Sequence, residues 1–238
     1  MSGKPFDGQV ALVTGSSRGI GAATAIALAE AGVHVVLTGR DTKALETIEE
    51  QIFQAGGSAT IAPVDLVEPD GIARLATAVS QRWGKLDILV INAAILPELT
   101  SVADIDQKAF NKGLTTNVLA TQALIANFDP LLRKSGDARV IGMTSTVAAK
   151  PRAYWGAYAA TKAAMEVLLD CYAQETANIA KVRVAIVNPG ATRTAMRARA
   201  YPGEAPNSVK PPEIVAQRLV ALLGEPFVTG HRESINQP

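Results

Sequence analysis

Residues 10–21 read VALVTGSSRGIG, an apolar run of four residues that leads into a turn with three glycines. The run Val10–Val13 predicts a buried strand, and the apolar face that follows the turn predicts a helix. Gly15 permits a sharp turn, Gly19 lets the backbone approach a ligand, and Gly21 lets the helix pack close to the strand. The free amides at the helix start favour an anion such as a pyrophosphate. The alternative is a glycine-rich turn without a ligand.

The same alternation of strand and helix continues along the chain. Further strands are predicted at residues 33–38, 59–62, 88–91, 139–143 and 182–187. Further helices are predicted at residues 69–83, 106–132, 158–179 and 214–223, and Asp41 is the expected N-cap of another. Apolar strands joined by helices indicate a parallel sheet that is buried on both faces. The predicted fold class is therefore α/β, a single-domain Rossmann fold over residues 1–238, whose doubly wound, mostly seven-stranded parallel sheet carries helices on both faces.

The segment 192–212 differs from this pattern. It is rich in Arg, Ala, Pro and Gly, and it follows the end of a predicted strand. Ligands of open α/β sheets bind at the carboxyl ends of the strands, so the segment is predicted to be an irregular substrate lid. Its arginines Arg193, Arg197 and Arg199 either solvate an exposed helix or attract an acidic substrate.

Composition excludes several classes of protein. The 238 residues carry 23 Lys and Arg against 22 Asp and Glu, and this balance argues against nucleic-acid binding through bulk positive charge. No apolar run approaches the roughly 20 residues that span a bilayer, and Met1–Gly8 lacks the apolar centre of a secretion signal. A single cysteine, Cys171, excludes an internal disulfide, and the distant pair His34 and His231 provides too few ligands for a zinc site. We expect a cytoplasmic protein with neither a membrane nor a nucleic-acid partner.

The end of the second predicted strand bears on the choice of nucleotide. An NAD enzyme commonly places an acidic residue there to bind the ribose 2′-hydroxyl, but this chain has Gly39 and Arg40. A guanidinium holds a 2′-phosphate with charge-assisted hydrogen bonds, and Arg18 in the glycine-rich turn lies within reach of the same group. These residues favour NADP(H) over NAD(H). The alternative is that both arginines are only solvated.

Tyr158 and Lys162 form a candidate acid–base pair. Their spacing of four residues places both side chains on one face of a predicted helix. A tyrosine has a pKa near 10, and a neighbouring ammonium is expected to lower that pKa by stabilising the phenolate. The pair would then act as a general acid in reduction and as a general base in oxidation. By itself the spacing is weak evidence, because it recurs by chance on amphipathic helices.

Further polar residues lie near the ends of the predicted strands. Asn92 follows one strand, Ser145 follows another, Asn188 follows a third, and Asn117 lies in the helix before the strand that leads to Ser145. In a parallel sheet the strand ends meet at one edge, which is the edge where a dinucleotide would bind. These residues are therefore expected to converge on Tyr158.

With these motifs together, the chain resembles the short-chain dehydrogenase/reductase superfamily over nearly its whole length, and in particular a bacterial subgroup of poorly characterised oxidoreductases. The matching residues are Thr14-Gly15-x-x-x-Gly19-x-Gly21, Asp65, Asn92-Ala93-Ala94, Asn117, Ser145, Tyr158-x-x-x-Lys162 and Pro189-Gly190-x-x-x-Thr194. The resemblance implies an NADP(H)-dependent oxidoreductase that interconverts a carbonyl and an alcohol by hydride transfer, without a metal.

The resemblance also implies roles for individual residues. Tyr158 would exchange the proton, Ser145 would bind the substrate oxygen, Lys162 would bind the nicotinamide ribose, and Asn117 would distort its helix and hold a water linked to Lys162. Cofactor contacts are implied for Gly15, Ser17, Arg18, Gly19, Ile20, Gly21, Arg40, Asp65, Leu66, Asn92, Ala93, Tyr158, Lys162, Pro189, Gly190, Thr192 and Thr194.

Two departures and two alternatives accompany the resemblance. Ile95 stands where relatives usually have glycine, and it would crowd the substrate entrance. The tail from Thr229 lacks the ending of many relatives, which weakens the expectation of a tetramer. Helices at residues 118–126 and 159–169 are typical of dimers, so a homodimer or homotetramer is expected.

The alternative functions are a catalytically silent, dinucleotide-binding regulatory or scaffold protein, and an epimerase or dehydratase, for which the chain lacks an added domain.

Overall fold

A computed structural model of the chain describes residues 4–178 and 181–235. Within these ranges one sheet of seven parallel strands carries helices on both faces. The strands are β1 (Val10–Thr14), β2 (His34–Gly39), β3 (Ser58–Pro63), β4 (Ile88–Ile91), β5 (Ala138–Met143), β6 (Val182–Asn188) and β7 (His231–Ser234). The α-helices are α1 (Gly19–Glu30), α2 (Thr42–Gln54), α3 (Gly71–Trp83), α4 (Gln107–Leu114), α5 (Ala120–Leu132), α6 (Thr146–Ala149), α7 (Gly156–Thr176), α8 (Ala195–Ala200) and α9 (Pro212–Gly224). The predicted doubly wound α/β fold in a single domain is confirmed.

The order of the strands determines where a ligand can bind. The sheet runs β3-β2-β1-β4-β5-β6-β7, so the chain first builds outward from β1 and then crosses to its other side. Between β1 and β4 the connections leave the sheet in opposite directions, and the carboxyl ends of the two strands border a crevice. The glycine-rich turn follows β1 at this crevice, and Asn92 follows β4.

Two apolar clusters fill the spaces between the sheet and its helices. Ala11 and Val13 of β1 face the cluster that contains α1 and α9, whereas Leu12 faces the cluster on the opposite side. Burial on both faces explains why β1 is apolar at consecutive positions. A Cβ on Gly142 of β5 would overlap the side chain of Leu169, so this glycine lets α7 lie close to the sheet.

The helices differ from the prediction in two places. Asp41 caps α2 as expected, accepting a hydrogen bond from the amide of Ala44 at 3.1 Å. The long helix predicted at 106–132 is divided into α4 and α5 by a π-helical turn at Thr115–Leu119, which contains Asn117, the residue at which the resemblance implies a distortion. The segment 192–212, predicted to be irregular, contains α8 and a short 3-10 helix, because the Thr194 hydroxyl caps α8 by accepting from the amide of Arg197.

Some predictions fall partly outside the described residues. The expected helix end at Ile179, the first three residues of Met1–Gly8 and the tail from Asn236 lie there. The preceding strand β7 is described, and it pairs in parallel with β6. In the described ranges, no helix has the length and apolar character needed to cross a membrane.

Candidate active site

The glycine-rich turn has the geometry that its sequence predicts. Gly15 and Gly19 have positive φ angles of 66° and 58°, which a side chain would strain. A Cβ on Gly21 would overlap the carbonyl oxygen of Gly15 and would lie 2.5 Å from Nδ2 of Asn92. Arg18 occupies the N-cap of α1 without a side-chain capping bond. The first amides of α1 therefore retain the capacity to bind an anion.

Thr14 and Asn92 hold this turn against β4. The Thr14 hydroxyl accepts from the amides of Asn92 at 2.9 Å and Ala93 at 3.0 Å, and it donates to the carbonyl of Val90. The Asn92 side chain donates to the carbonyls of Thr14 at 2.9 Å and Gly15 at 3.3 Å. Asn92 is thus positioned to steady the turn, and Ala93 lies directly against Gly15.

Arg18 and Arg40 are exposed at the same edge of the sheet. Within the described ranges, neither guanidinium forms a hydrogen bond or an ion pair with another side chain. Ser17 lies beside Gly39, at the end of β2, where a Cβ on the glycine would be 3.6 Å from the Ser17 hydroxyl. Two unpaired guanidinium groups next to small residues leave room for a phosphate.

Asp65 and Leu66 follow β3, which is four strands away from β5 in the sheet. Both side chains are half-buried, and the Asp65 carboxylate accepts from the amide of Val67 at 3.3 Å. Leu66 packs against one apolar cluster, and Ile20 of α1 packs against the other. Asp65 and Leu66 thus lie far along the sheet from Tyr158.

Lys162 is 2% exposed, and its ammonium donates to the carbonyl of Met143 at 2.7 Å. This hydrogen bond joins α7 to the end of β5, two residues before Ser145. Burial lowers the pKa of Lys162 to about 8, and the negative charge of Glu166 acts in the opposite direction. The ammonium lies 6.0 Å from the centre of the Tyr158 ring.

Tyr158 is buried, and its hydroxyl lies 3.9 Å from the sulfur of Met196. Burial raises the pKa of Tyr158 to about 12. The sequence-based expectation that Lys162 lowers this pKa is therefore wrong for this conformation, because desolvation outweighs the distant ammonium. Ser145 is half-buried at the N-cap of α6, and its hydroxyl makes no capping bond.

Asn117 lies in the π-helical turn and is fully buried. Its side-chain oxygen accepts from the amide of Ile95 at 2.8 Å, and its side-chain nitrogen donates to the Ile95 carbonyl and the Thr161 hydroxyl, each at 2.9 Å. Asn117 therefore joins the segment after β4 to the helix that carries Tyr158. Ile95, which departs from the usual glycine, is fixed by both of its backbone groups.

The segment after β6 brings Pro189, Gly190, Thr192 and Thr194 to the same edge. Gly190 has a φ of 64°, and Thr192 is buried and donates to the carbonyls of Pro189 and Gly190. The methyl group of Thr194 would lie 3.3 Å from a Cβ on Gly19, so this segment closes against the glycine-rich turn.

An apolar cluster surrounds the Tyr158 side chain. Its buried and half-buried members include Leu96, Leu99, Val147, Tyr158, Trp155 and Met196. Trp155 packs edge-on against Tyr158 at 6.1 Å and also contacts Tyr201, whereas Tyr154 is exposed. Trp155 is therefore part of the packing around Tyr158, whereas Tyr154 is not. Through Met196 on Tyr158 and Tyr201 on Trp155, the segment 192–212 packs against this cluster.

Sequence reasoning missed Thr144 and Glu166. The Glu166 carboxylate accepts from the Thr144 hydroxyl at 2.5 Å, one residue before Ser145. The spacing of four residues from Lys162 was a usable signal, but the sequence does not reveal that this position is buried. Over the described ranges, no group of three or more His, Cys, Asp or Glu side chains is arranged to hold a metal ion.

Comparison with known sequences gives a family match. The profile described as short chain dehydrogenase matches residues 9–205. The uncharacterized oxidoreductase YciK of Escherichia coli (strain K12) is 32% identical over 220 residues, which cover 91% of this chain and 86% of that protein.

Solved structures give the same result. A short chain dehydrogenase from Pseudomonas syringae is 37% identical with a TM-score of 0.93, covering 99% of this chain and 97% of that one. A short chain dehydrogenase from Escherichia coli CFT073, complexed with NADPH, is 31% identical with a TM-score of 0.94, and the alignment covers 100% of both chains.

Proposed function

The chain belongs to the short-chain dehydrogenase family of oxidoreductases, and from this premise we propose that it reduces a carbonyl to an alcohol with NADPH, and catalyses the reverse reaction. The observation that carries the proposal is the arrangement at the end of β5 and the start of α7. There Ser145, Tyr158 and Lys162 lie at the carboxyl edge of the sheet, on the side of β1 opposite Arg40. This arrangement provides a proton donor and a hydrogen-bond donor beside the crevice.

The residues of the glycine-rich turn fit a dinucleotide. The space that a Cβ would fill at Gly15 and Gly19 is restricted by Ala93 and Thr194, so the backbone itself forms the surface of the cradle. The first amides of α1 would bind the pyrophosphate, and the exposed Arg18 and Arg40 would bind a 2′-phosphate. These contacts, together with related structures that contain NADP or NADPH, support NADP(H) in preference to NAD(H).

The remaining proposed cofactor residues follow from their places at the same edge. Ser17, Ile20 and Gly21 belong to the turn, and Asp65 with Leu66 would meet the adenine. The residues Asn92, Ala93, Pro189, Gly190, Thr192 and Thr194 would line the central and nicotinamide portions, with Lys162 bonding the ribose.

Tyr158 would donate the proton to the substrate oxygen. When bound, NADPH supplies the hydride for the carbonyl carbon. Since burial holds the pKa of Tyr158 near 12, the phenol is protonated at neutral pH and is suited to act as the acid in carbonyl reduction. Alcohol oxidation requires the phenolate, which a positive charge near the ring would stabilise.

Ser145 and Asn117 would support this proton transfer. The Ser145 hydroxyl, which is not used to cap α6, would donate to the substrate oxygen and hold it beside Tyr158. Asn117 fixes the π-helical turn through Ile95 and Thr161. The proton that Tyr158 gives up would be replaced through the nicotinamide ribose, Lys162 and a water held at this turn.

The segment 192–212 would act as the substrate lid. Its Met196 contacts the Tyr158 hydroxyl, so a substrate must displace this side chain to reach the proton donor. The surrounding cluster is apolar, which favours a carbonyl compound with an apolar group next to the reacting carbon. Within the segment, Arg197 pairs with Glu204 and stacks on Tyr201. Tyr201 in turn packs against Trp155 outside the segment, so these contacts would hold the lid in place.

A homodimer through α5 and α7 is also proposed, with a homotetramer as its larger form. Leu119, the residue before α5, and Val167 of α7 are apolar but about 60% exposed. Exposed apolar side chains on two adjacent long helices are suited to pack against a second copy. Light scattering would measure the mass of the assembly, and a monomer would refute the proposed homodimer.

The decisive experiment follows NADPH oxidation with a panel of aldehydes and ketones that carry apolar groups. We expect turnover of at least one compound and its loss in Tyr158→Phe. Tight NADPH binding with no turnover of any carbonyl would instead favour a regulatory or scaffold protein.

A further inference from the structure

Three side chains follow one face of α7 at intervals of four residues. Tyr158, Lys162 and Glu166 are all buried, and Glu166 is only 9% exposed. The roles of the first two are proposed above, but the acid–base chemistry itself assigns none to the third. A carboxylate is costly to bury, so its partners indicate why it is there.

Both oxygens of Glu166 have partners on other elements. One oxygen accepts from the hydroxyl of Thr144 at 2.5 Å, and the other accepts from Arg232 of β7 at 2.6 Å. The amide of Thr144 donates to the carbonyl of Val187 at 2.9 Å, which continues the pairing of β5 with β6. Glu166 therefore fixes the side chain of Thr144, the residue before Ser145, while β6 fixes its backbone.

The same carboxylate lies one helical turn from the Lys162 ammonium. The ammonium donates to the Met143 carbonyl at 2.7 Å and lies 3.7 Å from the sulfur of Met165. Neither of these partners carries a charge, and Tyr158, the other titratable group beside it, is neutral at ordinary pH. In the described ranges, Glu166 is the charged group whose field acts on Lys162.

Arg232 and Asp170 are the charged groups that face Glu166. Arg232 bonds both carboxylates, so the last strand is joined to α7 at two successive helical turns. Asp170 is more exposed and lies a further turn from Lys162. The Arg232 guanidinium fixes the orientation of Glu166 and offsets part of its charge.

We propose that Glu166 is a positioning residue of the active site, whose carboxylate fixes the strand end that carries Ser145 and keeps the Lys162 ammonium charged. The kinetic part of this inference rests on the proposed function, whereas the charge of Lys162 does not. Glu166 touches neither substrate nor cofactor in this proposal, and it acts through Thr144 and Lys162.

The first test titrates Lys162 by NMR in the full chain labelled with ¹³C-lysine, with the signal assigned from Lys162→Arg. Burial alone pulls the pKa of Lys162 down, so removing the opposing charge in Glu166→Gln should lower it by a further half to one pH unit, roughly. Asp170→Asn is the matched control, since it removes the other carboxylate bonded to Arg232. A Lys162 pKa that is unchanged in folded Glu166→Gln, or lowered equally in Asp170→Asn, overturns the proposal.

The second test separates the two contacts of Glu166 by kinetics. Glu166→Gln should shift the alkaline limb of kcat/KM to lower pH, and at pH 8 this lowers activity by about two- to fivefold. Thr144→Val keeps the charge and removes the hydroxyl, so kcat should fall by about tenfold with the alkaline limb in place. Thr144→Ser should restore kcat.

The outcomes distinguish this proposal from the proposed function. An inactive wild type refutes carbonyl reduction, while the titration of Lys162 still tests the charge effect. An active wild type whose Thr144→Val variant keeps full kcat, or whose Thr144→Ser variant fails to recover it, overturns the positioning of Ser145.

Discussion

Replacing Gly21 with alanine tests how tightly α1 packs on the glycine-rich turn. The new methyl group would overlap the carbonyl oxygen of Gly15 and would lie 2.5 Å from the amide nitrogen of Asn92. The first neighbour is backbone, and the second is held by two hydrogen bonds to the carbonyls of Thr14 and Gly15. Neither can move away without disturbing the turn.

The cost follows from these contacts. Overpacking costs about 1–3 kcal/mol, and weakening one Asn92 hydrogen bond costs about 1 kcal/mol more. Alanine gains up to about 1 kcal/mol over glycine inside a helix, and less in the first turn. When these costs are added and the gain is subtracted, the free energy of unfolding should fall by about 2–3 kcal/mol. Because the displaced amides are those proposed to bind the pyrophosphate, NADPH affinity should fall by about tenfold or more.

Urea unfolding measures the first effect, and the fluorescence of bound NADPH measures the second. The urea midpoint should fall by about 1 M, with an unchanged slope. Gly224→Ala is the matched control, because it makes the same change in α9 with its nearest atom, Cζ of Phe6, at 3.6 Å. If Gly21→Ala unfolds like Gly224→Ala and binds NADPH like the wild type, the turn is not closely packed and our reasoning fails.

Four further predictions address the proposed chemistry and the lid. Tyr158→Phe should lower NADPH-dependent turnover by at least about 100-fold while leaving NADPH affinity in place, and near-normal turnover would exclude the phenol as proton donor. Arg40→Ala should weaken NADPH binding by about 10- to 100-fold and NADH binding by less than about twofold, and an equal loss would count against phosphate recognition. Burial lowers the pKa of Lys162 to about 8 in the folded chain, so the buried ammonium destabilises the fold below pH 8. This penalty fades as the pH rises toward the pKa of Lys162 in the unfolded chain. Lys162→Met should therefore raise the free energy of unfolding at pH 7 by about 1–3 kcal/mol in urea titrations, a gain that disappears near pH 10. Arg197→Ala removes the partner of Glu204 and should raise KM by about two- to fivefold with little change in kcat, whereas an unchanged KM would mean that the ion pair does not hold the lid.

The sequence predicted the strands well because both faces of the sheet are buried. The run Val10–Val13 is apolar at every position and is bounded by turn residues, so it is observed as β1 with one added residue. Asp41 was recognisable as a cap because its chemistry is local. The sequence also predicted that the residues proposed for catalysis lie at one edge of the sheet, because the strand ends of a parallel sheet meet there.

Other features could not be predicted because they depend on packing. The six residues of α8 are too few for a periodic pattern, and the apolar pattern alone did not reveal the π-helical turn at Thr115–Leu119, which only the distortion implied at Asn117 anticipated. The predicted direction of the Tyr158 pKa shift was wrong because the spacing reveals Lys162 as a neighbour but does not reveal that Tyr158 is buried. The sequence does not distinguish Glu166 from an ordinary exposed helix residue, and only its contacts with Thr144 and Arg232 do so.

The reversal of the sheet about β1 has a consequence for redesign of the enzyme. Arg40, at the end of β2, lies on one side of β1, while Tyr158 and Met196 belong to the elements that follow β5 and β6 on the other side. The residues that would select the nucleotide and those that would select the substrate are thus carried on separate loops that share no strand. Arg40 and Met196 can therefore be varied in independent libraries and then recombined, whereas Arg18 is kept constant because its turn packs against Thr194 of the substrate segment.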